Sequence, residues 1–174
     1  MKSMFGRVLL AGAFAAAAGS AMAQESTNVV DVKSDWSVFT DENPKECWGV
    51  TAPKSTAATR DGTEVTVRRG EIQLFVTFRP GAGAAGEVSY TGGYPFAEKS
   101  TVTVAIDGTV YELFTSEEWA WPATPDADAQ LLAAMKKGAE AVVTARSGRG
   151  TQTADTFSLR GFTAAMAEAE KRCQ

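Results

Sequence analysis

The sequence predicts a mainly β, antiparallel domain carrying one internal helix and one C-terminal helix, preceded by an export signal. Three observations lead there. "TVTVAIDGTVYELF" (101–114) alternates apolar and polar residues on both sides of a two-residue turn. Helical periodicity is confined to 124–138 and to the last residues, where Phe162, Ala165, Met166, Ala169 and Cys173 recur at helix spacing. The chain starts with Lys2 and Arg7, an apolar run from Val8 to Ala18 broken only by glycine, and Ala21-Met22-Ala23.

A positive start, a short apolar run and a small-x-small site form the three-part layout of a secretory signal peptide. The run is alanine-rich and short for a bilayer core, which needs about 20 residues. Cleavage after Ala23 is expected. The predicted organisation is then a signal peptide over 1–23, an extended polar lead-in over 24–33, and a single domain over 34–174. Loss of Lys2 and Arg7 takes the net charge from −4 to −6. An acidic chain with only short basic pairs, Arg68-Arg69 and Lys136-Lys137, argues against nucleic acid as the partner. No later segment is apolar enough to span a membrane, and the expected location is periplasmic or secreted.

Along the domain, "DWSVF" (35–39) and "ECWGV" (46–50) read as short strands either side of the turn at Asp41 to Pro44. "APKSTAATRDG" (52–62) is small and polar and reads as a loop. "EVTVRRGEIQLFVTF" (64–78) reads as a hairpin, because Val65 and Val67 alternate before Arg68-Arg69-Gly70 and Ile72, Leu74, Val76 and Phe78 alternate after it. "GAGAAG" (81–86) reads as a flexible connection, and "EVSYTGGYPF" (87–96) as a short strand with a glycine turn.

Asp107-Gly108 suits a type I′ turn, in which both central residues take positive φ. That register sets Ile106 opposite Thr109, Val104 opposite Tyr111 and Val102 opposite Leu113. One face then carries Val102, Val104, Ile106, Tyr111 and Leu113, and the other is more polar, as in an antiparallel sheet with one wet side. In "TPDADAQLLAAMKKG" (124–138), Thr124 or Asp126 can cap a helix. Leu131, Ala134 and Met135 share a face, and Gly138 suits the C-terminal end. "EAVVTARSGRGTQTADTFSL" (140–159) reads as another hairpin, turning at Ser147 to Gly150.

The terminal helix places Cys173 on its apolar stripe. Cys47 is the only other cysteine. Export to an oxidising compartment permits a disulfide, and two cysteines allow one intramolecular pairing, Cys47 with Cys173. Such a bridge would pin a helix that otherwise frays at the chain end. The competing reading is a free, buried Cys173 acting as a small apolar residue.

The chain has no histidine, which removes Ser-His-Asp and Cys-His hydrolysis and the commonest zinc ligand. No catalytic residue, metal ligand or cofactor is expected. "RPGAGAAG" (79–86) lacks the lysine of a phosphate loop and reads as a linker. Asp126 and Asp128 with Glu117 and Glu118 offer oxygen ligands for calcium, without EF-hand spacing; helix capping explains the aspartates. A carboxylate-dependent hydrolase is the enzymatic alternative, and its mark would be a cleft with two convergent carboxylates, one with a raised pKa.

"TSEEWAWP" (115–122) puts Trp119 and Trp121 on one side of an extended stretch. Exposed, they would anchor a partner, with Tyr90 and Tyr94 extending the patch if their turn lies nearby. Pro122 argues for an edge or a loop. The competing reading, which the sequence favours, is burial against the 131–135 helix.

"GYPFAEKSTVTVAIDG" followed by "YELF", then "DAQLLAAMKKGAEAVVTA", then "FSLRGFTAAMAEAEKRC", with "DWSVFT" and "ECW" earlier, resembles the invasion associated locus B family of proteobacterial exported proteins. The resemblance covers nearly all of residues 24–174. It implies an immunoglobulin-like antiparallel β-sandwich exported to the periplasm or cell surface, and a non-enzymatic binding or accessory role in the envelope. Some relatives are linked to host-cell entry, which makes a surface adhesin the alternative. Many relatives carry a second cysteine pair near the segment matching "YELFTSEEWAW", where this chain has Trp119 and Trp121 instead.

Overall fold

The computed structural model describes residues 28–174. The expected signal segment, 1–23, lies outside the described residues. Twelve strands form one antiparallel sheet: β1 Val29–Lys33, β2 Trp36–Glu42, β3 Lys45–Thr51, β4 Ser55–Arg60, β5 Thr63–Glu64, β6 Gln73–Arg79, β7 Ala84–Thr91, β8 Thr101–Ile106, β9 Thr109–Ser116, β10 Trp119–Trp121, β11 Glu140–Arg146 and β12 Gln152–Ser158. Helix α1 spans Pro125–Met135 and α2 spans Phe162–Arg172. The spatial order is β1-β2-β3-β6-β7-β10-β9-β8-β11-β12-β4-β5.

The sheet folds over on itself into a β-sandwich. Tyr90 on β7 meets Phe157 on β12 edge-on at 6.1 Å. The Trp36 indole on β2 donates to the Ser158 carbonyl at 3.0 Å. Period-two alternation supplies the core: Val38, Leu74, Val76, Val88, Val102, Val104, Leu113, Val143 and Phe157 are all fully buried. The other face of each strand turns outward.

The β8–β9 hairpin has the expected register, Ile106 opposite Thr109, Val104 opposite Tyr111 and Val102 opposite Leu113. Asp107 and Gly108 take φ of 48° and 80°, as a type I′ turn requires. Tyr111 is half-buried where its face-mates are buried. β11 and β12 pair in register from Glu140–Ser158 to Arg146–Gln152. Thr124 caps α1, its hydroxyl accepting the Ala127 N–H at 3.2 Å.

Helix α2 packs on the inner faces of β2 and β3. Phe162 sits edge-on to Trp36 at 4.9 Å, and Phe162, Ala165, Met166, Ala169 and Cys173 are buried. Cys173 is disulfide-bonded to Cys47 on β3, with a Cα–Cα distance of 5.8 Å and a sequence separation of 126.

The structure corrects four local expectations. Residues 64–78 are not a hairpin: β5 pairs with β4 at one margin of the sheet, whereas β6 pairs with β3 and β7 in its interior. Alternation marks a strand but not its partner, and 65–72 is a crossover between distant parts of the sheet. The expected loop at 52–62 contains β4, which pairs with β12 from Ser55–Thr156 to Thr59–Gln152. Ala58 is its one buried residue, so no apolar pattern announces it. The lead-in contains β1, paired with β2. The connection at 81–86 gives way to β7 from Ala84.

β10 pairs with β7 only at Tyr90 and Thr91, which would leave the rest of β7's margin open. Asp128 on α1 closes it, its Oδ1 accepting the Val88 N–H at 2.8 Å. An open strand margin invites foreign pairing, and a covering helix prevents it. Burial holds the Asp128 carboxyl above the usual aspartate value, with Glu87's negative charge adding to it and the Val88 N–H opposing it.

Candidate functional site

The outward face of the first half of the sheet is aromatic. Phe39 lies opposite Trp48, Phe75 opposite Ser89, and Trp121 opposite Phe114. Each neighbours an inward residue that is buried: Val38, Cys47, Leu74, Ala120 and Leu113. The rings therefore point out because their neighbours point in. Phe39 and Trp48 stack at 5.5 Å, Phe75 and Trp119 tilt together at 5.7 Å, and Phe114 meets Trp121 edge-on at 4.6 Å.

Trp48, Phe75, Trp119 and Trp121 line a groove of about 590 Å³ rimmed by Glu46, Arg79 and Glu87. Arg79 bridges both carboxylates, its Nε donating to Glu46 at 2.9 Å and its Nη1 to Glu87. Trp119 is 42% exposed and Trp121 half-buried. The sequence favoured burial against the 131–135 helix, and the structure places both indoles on the outer face instead, with Ala120 taking the core position between them. β10 is neither edge nor loop, since β7 and β9 flank it.

Tyr90 does not extend this patch. It is fully buried because β7 alternates it onto the inner face, where its hydroxyl donates to Asp155 Oδ2 at 2.5 Å. Burial first, then the Asp155 charge and hydrogen bond, hold the Tyr90 phenol above its usual pKa. Tyr94 belongs to a different groove.

That second groove, of about 620 Å³, lies between the 65–72 crossover, the loop after β7 and the β11–β12 turn. Arg69 organises it from beneath. Its guanidinium gives two hydrogen bonds to Asp155, a third to the Gly92 carbonyl at 2.8 Å, and lies 5.0 Å over the Tyr94 ring. Burial opposes the charge on Arg69, but the Asp155 hydrogen bonds and negative charge together raise its pKa. The Gly70 N–H bonds to the Gly93 carbonyl at 2.8 Å. A Cβ on Gly93, whose φ is +69°, would come within 2.6 Å of Gly70's backbone, so only glycine lets the crossover seat here. Tyr94's hydroxyl hydrogen-bonds Thr153 at 2.5 Å. Arg60, Arg68, Arg149 and Glu118 complete the lining.

Among the described residues no group of three or more His, Cys, Asp or Glu is placed to hold a metal ion. Glu118 faces the arginine groove while Asp128 faces β7. The carboxyl with the raised pKa, Asp128, is spent on a backbone N–H, outside both grooves. Neither Asp155 nor the gathering of Arg60, Arg69 and Arg149 is legible in the sequence, because these residues are far apart in the chain and share no spacing signal.

An antiparallel β-sandwich closed by a disulfide between an inner strand and a terminal helix, with its grooves on the outside, defines the class. The chain belongs to the invasion associated locus B (IalB) family, whose model matches residues 36–170. The crystal structure of invasion associated protein B from Bartonella henselae is similar in fold, with a TM-score of 0.53 at 16% identity, over 80% of this chain and 94% of that one. No curated protein matches the chain. Among the described residues no helix is long and apolar enough to cross a membrane.

Proposed function

We propose that this IalB-family protein is an exported, non-enzymatic binding protein of the cell envelope, with its signal peptide cleaved after Ala23 and a protein partner seated on the aromatic groove. The outward tryptophan pair on β10 carries this reading. Large rings held rigidly on strands cover apolar area with little side-chain entropy to lose, and a wet sheet face does not otherwise call for them. The Cys47–Cys173 bridge supports an oxidising compartment. Against hydrolysis, the two carboxylates that converge at the groove are both ion-paired to Arg79.

Crosslinked pull-down from intact cells tests the binding role. The wild-type bait should retain a discrete partner that Trp119→Ala loses, and equal retention by both would refute the seat. Intact mass of the periplasmic protein tests export: it should begin at Gln24, and a mass retaining residues 1–23 would refute cleavage. The family's link to invasion favours a second reading, an adhesin acting at host entry. Fractionation separates the two, because an adhesin must be recovered from the outer surface.

A further inference from the structure

We propose that the groove beside Arg69 binds a phosphate group carrying two or more negative charges, held by Arg60, Arg68 and Arg149. The three arginines come from the end of β4, the crossover and the β11–β12 turn, and line one groove. None of them forms an ion pair among the described residues. Arg69 is different, because its charge is taken up by Asp155 beneath the groove. One carboxylate, Glu118, lines the same groove.

Gathering like charges is unfavourable, and the chain as a whole has a net charge of −4. A single carboxylate ligand is satisfied by one arginine fork. Three guanidiniums without an ion-pair partner, beside one acid, match a tetrahedral dianion, which accepts hydrogen bonds from several directions. Arg60 is already oriented, its Nη2 donating to Thr151 Oγ1 at 2.7 Å and its Nε to the same oxygen at 3.3 Å. Arg68 and Arg149 are exposed, and their side chains make no hydrogen bond among the described residues. They are free to close on a ligand. The groove floor is fixed by the Arg69–Asp155–Tyr90 network and by Tyr94 on Thr153, so the site is built before any ligand arrives.

Two phosphate sources fit this chemistry, a free polyphosphate and a phosphomonoester lipid headgroup. Calorimetric titration of the purified mature chain, residues 24–174, with inorganic pyrophosphate tests the first. Flotation with phosphatidylcholine vesicles containing phosphatidic acid, beside phosphatidylcholine alone, tests the second. Saturable binding is expected in at least one arm, weakened about tenfold or more by Arg68→Ala/Arg149→Ala and reduced by salt. Lys136→Ala/Lys137→Ala, an equal loss of two exposed charges just after α1, should leave it unchanged. Arg68→Lys/Arg149→Lys keeps the charge but loses the fork and should also weaken binding. No saturable binding in either arm, or equal weakening by Lys136→Ala/Lys137→Ala and the double arginine variant, would overturn the proposal.

Discussion

Arg69 grips Asp155 with both arms of its guanidinium, at 2.7 and 2.6 Å, across 86 residues of sequence. The side chains are 7% and 0% exposed, so neither charge has water to fall back on. Arg69→Ala leaves Asp155 buried with Tyr90 as its remaining side-chain partner. Loss of one member of a buried pair costs about 3–5 kcal/mol. Denaturant unfolding should show that loss, and Arg69→Met/Asp155→Leu should recover part of it, since an apolar pair leaves no stranded charge. A cost for Arg69→Ala below about 1 kcal/mol would place it among ordinary surface substitutions and contradict the burial argument.

The Cys47–Cys173 bridge closes a loop with a sequence separation of 126, for which chain entropy gives about 5 kcal/mol as an upper figure. Cys47→Ser should lower the unfolding midpoint under oxidising conditions and change it little in strong reductant. Two titratable thiols in the native, unreduced protein would end this account.

Trp119 and Ala120 are sequence neighbours on opposite faces of β10, 42% and 0% exposed. Trp119→Ala should cost under about 1 kcal/mol while abolishing partner capture. Ala120→Leu forces methylenes into a packed core and should cost about 1–3 kcal/mol. Thermal melts beside the pull-down distinguish them, and a Trp119→Ala loss as large as that of Ala120→Leu would mean the indole is structural.

Asp128 predicts a pH effect of definite sign. Its folded pKa is raised above 3.8, chiefly by burial, so the native state holds this proton more tightly than the unfolded chain. Its contribution is present below 3.8 and is lost as pH rises through the raised value. Asp31 and Asp35, held low by hydrogen bonds first from Lys33 and Lys54, act oppositely and lose their contribution as pH falls. Asp128→Asn keeps the Oδ1 acceptor for Val88 and removes the titration. Its stability relative to wild type should climb with pH above 3.8 and then level off. A difference that stays flat across that window would show that Asp128 is not the group responsible.

The local elements that the sequence announced were those whose signal lies within one segment. Asp107-Gly108 specified its hairpin because a two-residue turn sets the register of everything beside it. The α2 stripe placed Cys173 inward because helix spacing and burial share one period. β4 was silent because one buried alanine makes no pattern, and β5 and β6 were joined wrongly because alternation carries no information about which strand lies alongside. The tryptophan pair was legible as a pair, but not its side of the sheet: a one-residue shift in β10's register would have buried both indoles and exposed Ala120.

From the residues alone came the β-rich class, the two helices and the one available disulfide, since composition and short-range period determine these. The resemblance along the chain added the IalB family. Tertiary structure alone decided that Trp119 and Trp121 face outward, that Tyr90 is locked onto Asp155, and that Arg60, Arg68 and Arg149 share one groove. Those arrangements depend on β10's register against β7 and β9, on the pairing of β4 with β12 and on a crossover seated against Gly93. They are contacts between residues distant in the chain, and the free energy that selects them is released only when the two halves of the sheet close on each other.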